Sequence, residues 1–129
     1  MGMRKNIEDF LREHDLCRIA TASKDCMPHV VPVSYIFLEG HIYISTDYGT
    51  KKLRNLKENS SAALVIDDIK PQRGVLLQGH VKLIENGTKW NRLYGKFYEK
   101  FEWAKKDPWK EGEAPFIELN VEKEACWGL

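Results

Sequence analysis

The stretch Gly74–Ile84, GVLLQGHVKLI, constrains the fold of this chain more than any other. Val75, Leu77, Gly79, Val81 and Leu83 fall on one side, and Leu76, Gln78, His80 and Lys82 on the other. That period of two is a long β-strand with two distinct faces. A strand of this kind needs hydrogen-bonded neighbours, and the rest of the chain offers them. LCRIATAS sets Leu16, Arg18 and Ala20 against Cys17, Ile19 and Thr21. After a KDCMP turn, HVVPVSYIF is rich in β-branched and aromatic residues, Glu39–Gly40 closes a hairpin, and HIYIS returns. SAALVID and the C-terminal FIELNVEKEACW complete a set of six strands.

Three helices are expected between them. The first covers 3–14, with Met3, Ile7, Phe10, Leu11 and His14 on one face. A short second helix covers 50–58, with Leu53 and Leu56 turned inward. The third is capped by Thr88 and carries the stripe Trp90, Leu93, Tyr94, Phe97 and Phe101. KKDPWKEGEAP reads as a polar loop. No βαβα rhythm is present, which argues against a parallel doubly wound sheet. The expectation is a mainly β fold, a small antiparallel barrel with flanking helices. At 129 residues the chain, 1–129, reads as a single domain.

Charge removes several function classes. Twenty basic and 19 acidic side chains leave a net charge of +1, without the basic excess of a general nucleic-acid or membrane binder. No apolar run approaches the roughly 18 residues of a membrane span. The N-terminal MGMRKNIEDFLREHD lacks the apolar core of about 7–15 residues that a secretory signal needs. Cys17, Cys26 and Cys126 are odd in number and show no CxxC spacing, so reduced thiols in the cytoplasm are expected. The N-x-[ST] matches at Asn59 and Asn86 then read as chance. Histidines and cysteines do not cluster at zinc spacing. Asp67–Asp68 reads as a strand-to-turn junction, and no G-x-S-x-G or cysteine–histidine motif for nucleophilic catalysis is present.

A local anion site stands out instead. In YISTDYGTKKLRNLKEN, Lys51, Lys52 and Arg54 sit at the start of a helix, the end that favours negative charge. Gly49 permits close approach, the helix start offers free N–H groups, and Ser45, Thr46 and Thr50 add hydroxyls. These residues suit a phosphate cradle; they also suit a solvated helix face in which Arg54 pairs with Glu58. Pro32 marks an edge or a bulge, either a protective device or free backbone for a planar heterocycle. Gln78 and His80 contact a ligand or form an outward polar face. Trp103, Trp109 and Trp127 read as packing residues.

The segments ATASKDCMPHVVPVSYIF, GHIYISTDYGTKKLRNLKEN, AALVIDD and GVLLQGHVKLI, in this order and spacing, resemble the pyridoxamine 5'-phosphate oxidase-like, FMN-binding split-barrel superfamily. The resemblance spans residues 10–85 and is most specific around G–T–K–K–x–R–N–L. It implies a six-stranded antiparallel split β-barrel that works as a homodimer, with FMN in a groove between subunits. It places the phosphate on Lys51 and Lys52, with Ser45 and Thr50 as hydroxyl partners. It lays Val31, Pro32, Val33 and Ser34 along the isoalloxazine and brings Gln78 and Trp127 to the ring. Pyridoxamine phosphate oxidases proper carry an arginine-rich C-terminal substrate segment that is missing here, which speaks against pyridoxal phosphate synthesis. Some relatives bind a deazaflavin, others haem, for which His14, His29, His41 and His80 would be the available ligands. The implied functions are an FMN-dependent oxidoreductase with an unnamed redox substrate, a flavin-binding or electron-carrying module without turnover, or a deazaflavin- or haem-binding relative. A small barrel that binds no flavin stands beside them.

Overall fold

In a computed structural model that describes residues 3–129, the alternating segments become six antiparallel strands closed into a barrel. They are β1 (Leu16–Ala22), β2 (Pro28–Leu38), β3 (His41–Ser45), β4 (Ser61–Asp68), β5 (Arg73–Ile84) and β6 (Phe116–Trp127). Around the barrel the order is β1-β2-β3-β6-β5-β4. Short hairpin connections join β1 to β2, β2 to β3 and β4 to β5, as antiparallel neighbours allow. The chain's last strand, β6, inserts between β3 and β5 and closes the ring. The mainly β, six-stranded antiparallel barrel read from the sequence is the observed fold.

The helices are α1 (Lys5–Glu13), α2 (Lys51–Glu58), α3 (Gly87–Lys100) and α4 (Glu102–Lys106). Inward residues Cys17, Ile19, Tyr35, Ile44, Leu64 and Leu77 fill the barrel, and Ile7, Phe10 and Leu11 of α1 pack onto them. Each large side chain so buried contributes roughly 1.5–3 kcal/mol. A second core lies outside the barrel wall. There Trp90, Leu93 and Phe97 of α3 cover Ile36, Tyr43, Ile84 and Phe116. The Trp90 indole N–H donates to the Ala114 carbonyl at 2.9 Å, so its buried polar atom is satisfied.

Three local readings change. α1 starts at Lys5 and not at residue 3, although Met3 still packs against the core. Thr88 does not cap α3; Asn86 holds the N-cap position without a side-chain bond, and Gly87 at φ +92° turns the chain into the helix. α4 interrupts the expected run from helix to loop, because extended backbone at Phe101 (φ −111°, ψ 124°) ends α3 and lets a new helix start.

Two irregularities shape the sheet. From Pro28 to Ser34, β2 pairs with β1 alone, and β3 joins it only from Tyr35 onward. Pro32 therefore stands on a one-sided stretch, where its missing N–H costs no ladder bond. The second is a bulge. Gln78 faces Lys123 and Gly79 faces Val121, so Glu122 is the extra residue on β6. Gly79 permits this, since a Cβ there would lie 1.9 Å from the Asn120 carbonyl oxygen.

α1 is tied down by charge as well as by packing. His14 Nε2 lies 2.8 Å from Asp68 Oδ1, and Arg73 Nε donates to Asp68 Oδ2 at 2.7 Å. These bonds, from His14 first and then Arg73, hold the Asp68 carboxyl below its ordinary pKa. A depressed carboxylate stabilises the fold above its unfolded pKa and loses that contribution as pH falls through the folded value. Acid unfolding of the wild type should therefore steepen below about pH 4, and Asp68→Asn should flatten that limb in a pH series of urea midpoints. Gly79→Ala should destabilise the barrel by on the order of 3 kcal/mol, because backbone must move to admit the methyl group. The same urea titration reads this loss.

Candidate functional site

The chain leaves β3 at Ser45, turns through Gly49 at φ +83°, and enters α2 at Lys51. Thr50 is the N-cap, with its Oγ1 accepting the Leu53 N–H at 3.4 Å and donating to the Asp47 carbonyl at 3.1 Å. The buried Thr46 hydroxyl lies 3.3 Å from that of Thr50. Arg54 does not pair with Glu58; its guanidinium donates to the Gly49 carbonyl at 2.9 Å and braces the loop. Further along α2, Asn55 is buried and donates to Thr21 of β1 at 3.1 Å, which fixes the helix against the barrel.

Lys51 and Lys52 carry their charge at the first turn of this helix, where backbone N–H groups have no intrahelical acceptor. Among the described residues neither ammonium makes an ion pair within 4.0 Å. Lys51 is exposed and Lys52 half-buried. Burial lowers the Lys52 pKa, partly opposed by Asp47. A half-buried cation without a direct ion pair gains from an incoming anion.

Ser45, Thr46, Thr50 and Lys52 line one cavity of about 480 Å³. Trp103 from α4 and Trp109 from the following loop wall its far side, stacked at 5.9 Å and 9°. Asp47, Asp107 and Glu113 also line it, and these three carboxylates disfavour an anion in the part of the cavity they face. The two tryptophans pack as their sequence context leads one to expect, Trp109 edge-on to Tyr94 at 4.7 Å. Their place in this cavity depends on α4, which has no motif of its own.

The other expected contacts lie elsewhere. Val31 and Val33 turn to the core, while Pro32 and Ser34 alternate to the other side of β2. Strand register carries one row of outer positions from Pro32 through Arg18, Val65 and Leu76 to Ala125. Gln78 is one row to one side, opposite Lys123, and Trp127 one row to the other, opposite Gly74. Gln78 is exposed, so this face of β5 is the outward polar one. Pro32, Gln78 and Trp127 all point away from the barrel interior, but β2 and β5 are three strands apart in a closed ring of six, so Pro32 and Gln78 lie on opposite sides of the barrel. None of these three residues lines the cavity of Lys52. Among the described residues no group of three His, Cys, Asp or Glu is placed to hold a metal. No helix among them is long and apolar enough to cross a membrane.

Residues 3–128 match the pyridoxamine 5'-phosphate oxidase family, and the chain belongs to it. Members of this family commonly bind flavin-type cofactors. A pyridoxine/pyridoxamine 5'-phosphate oxidase of Wolbachia pipientis wMel is 40% identical over 70 residues, which are 53% of this chain and 32% of the relative. The chain thus matches about a third of that relative's length. A conserved hypothetical protein, Rv2991 of Mycobacterium tuberculosis, shares the fold with a TM-score of 0.82 at 20% identity, over 98% of this chain and 86% of that one. The haem storage protein HutZ of Vibrio cholerae does so with a TM-score of 0.80 at 13% identity, over 98% and 94% of the two chains.

Thr50 anchors the loop between β3 and α2. Thr50→Ala should cost about 1 kcal/mol of stability through loss of the cap, read as a lower urea midpoint.

Proposed function

We propose that this protein binds FMN between two copies of the chain and acts as a flavin-dependent oxidoreductase. One observation carries the reading: two unpaired lysines, one of them partly desolvated, stand beside free N–H groups where Gly49 turns the chain into α2. Lys51 and Lys52 neutralise the phosphate, and the hydroxyls of Ser45, Thr46 and Thr50 accompany them. Backbone groups of Val31–Ser34 are free for the ring because that stretch of β2 has a single neighbour. The Gln78 amide and the Trp127 indole present further contacts on the outer face.

Bound FMN would supply the hydride and electron transfer; the chain's residues bind it, orient it and exclude water. Family membership supports this reading, and the spacing across the sheet supports the dimer. Pro32 and Gln78 of one chain are too far apart to meet one ring, so a second copy would supply one of them. Three free cysteines suit a reducing, cytoplasmic setting.

The test is the absorbance spectrum of the purified protein, followed by titration of the flavin-free form. FMN should saturate one site per chain. Lys51→Ala with Lys52→Ala should weaken it by about 2–4 kcal/mol. A folded double variant with unchanged affinity would remove the phosphate from α2. A protein indifferent to FMN that takes up a deazaflavin would keep the cradle and change the cofactor. A monomer at full flavin occupancy in sedimentation would end the shared-groove arrangement.

A further inference from the structure

On the outer sheet face, three side chains from three strands form a chain of hydrogen bonds. Ser61 of β4 and His80 of β5 are directly opposed in register, with Oγ 3.3 Å from Nε2. His80 Nδ1 lies 2.7 and 2.8 Å from the two Glu122 carboxylate oxygens. Glu122 is the extra residue of the β5–β6 bulge, so the bulge that Gly79 permits is also what turns this carboxylate onto His80.

The chemistry of the three follows from their contacts. A carboxylate only accepts, so His80 must carry a proton on Nδ1. In the neutral ring Nε2 then holds a lone pair, and it faces the Ser61 hydroxyl. That is the tautomer and the order of groups in which a serine is activated as a nucleophile. All three line a cavity of about 440 Å³ floored by Ala20 and Ala63, whose methyl groups leave room above the sheet. Two carboxamides line it as well. Asn59 accepts the Ser61 N–H on Oδ1 at 3.1 Å, which leaves its Nδ2 as a donor close to the serine, and Gln78 is next to His80 on the same face.

We infer that Ser61, His80 and Glu122 constitute a second, flavin-independent site that hydrolyses small carboxylic esters with short acyl groups. Ser61 Oγ adds to the ester carbonyl while its proton passes to His80 Nε2. The bond to the alcohol breaks, the alcohol takes that proton, and the acyl group stays on Ser61. Water then adds to the acyl carbonyl and gives a proton to the same nitrogen. The carboxylic acid leaves, and Ser61 recovers its hydrogen. Ester and water become acid and alcohol, with no oxidant or reductant. Asn59 Nδ2 is the donor available to the oxyanion. Ser61 and His80 are the catalytic residues; Glu122 acts through His80 and is a positioning residue.

The experiment uses the purified full chain without added flavin, treated with a fluorophosphonate probe and, separately, with p-nitrophenyl acetate. One phosphonyl adduct per chain is expected at Ser61 by peptide mass. Ser61→Ala should abolish the adduct and the ester turnover together. His80→Gln should lower both by at least about 100-fold, the scale of a lost general base. Glu122→Gln should lower kcat with KM unchanged, a split that a merely structural role would not produce. Absence of an adduct on Ser61, or ester hydrolysis that persists in Ser61→Ala, would overturn the assignment. FMN titration of the same preparation reads the flavin site independently, so either site can fail alone.

Discussion

The barrel depends on β6 pairing on both sides at once. Leu119 faces Ile42 of β3 and Val81 of β5, and Ile117 faces Ile44 and Leu83. Without this segment β3 and β5 would both be open edges with unpaired backbone groups. The barrel core covers Ile117 and Leu119 on one face and the α3 cluster covers Phe116 on the other, so Phe116, Ile117, Glu118 and Leu119 are all buried. A carboxylate in such a place needs partners. The Tyr43 hydroxyl donates to Glu118 at 2.9 Å, and the Lys89 ammonium of α3 pairs with the same oxygen. Burial pushes the Glu118 pKa up, but Lys89 and Tyr43 outweigh it and hold the carboxyl below its ordinary value. The closing strand and the docking of α3 are therefore one interaction, which leads on to the second aromatic core.

The irregular parts of the sheet are where chemistry becomes available. A fully paired barrel would present only side chains. Here β2 runs one-sided from Pro28 to Ser34, and the β5–β6 bulge turns Glu122 onto His80. α2 adds the third departure, a helix start with cations where none are needed for its own stability. The cradle at α2 and the trough beside His80 are separate cavities, lined by different residues. The flavin proposal and the ester proposal accordingly rest on different observations.

Much of this architecture is legible in the residues alone. Alternation along Gly74–Ile84 and its five companions specifies strands, because period two is a property of the backbone itself. Pro32 announces an edge, because a missing N–H cannot be hidden inside a ladder. The GTKK segment raises the expectation of an anion site, because cations at a helix start run against the dipole. Other features leave no local mark. α4 starts where Phe101 breaks the helix, with no cap signal before it. Val31 and Val33 turn to the core while Pro32 does not, which depends on the register with β1.

The sequence by itself determined the six strands, three of the helices and the cluster of lysines with glycine and hydroxyls, since each follows from neighbours within one turn or one strand, and the order of these elements gave the antiparallel class. Only the tertiary structure decided the closure by β6, the carboxylates around Lys52 and the meeting of Ser61, His80 and Glu122. Those three residues lie far apart in the chain and are joined by strand pairing. Their alignment hangs on one extra residue opposite Gly79, and a register set by long-range hydrogen bonds cannot be read from local pattern.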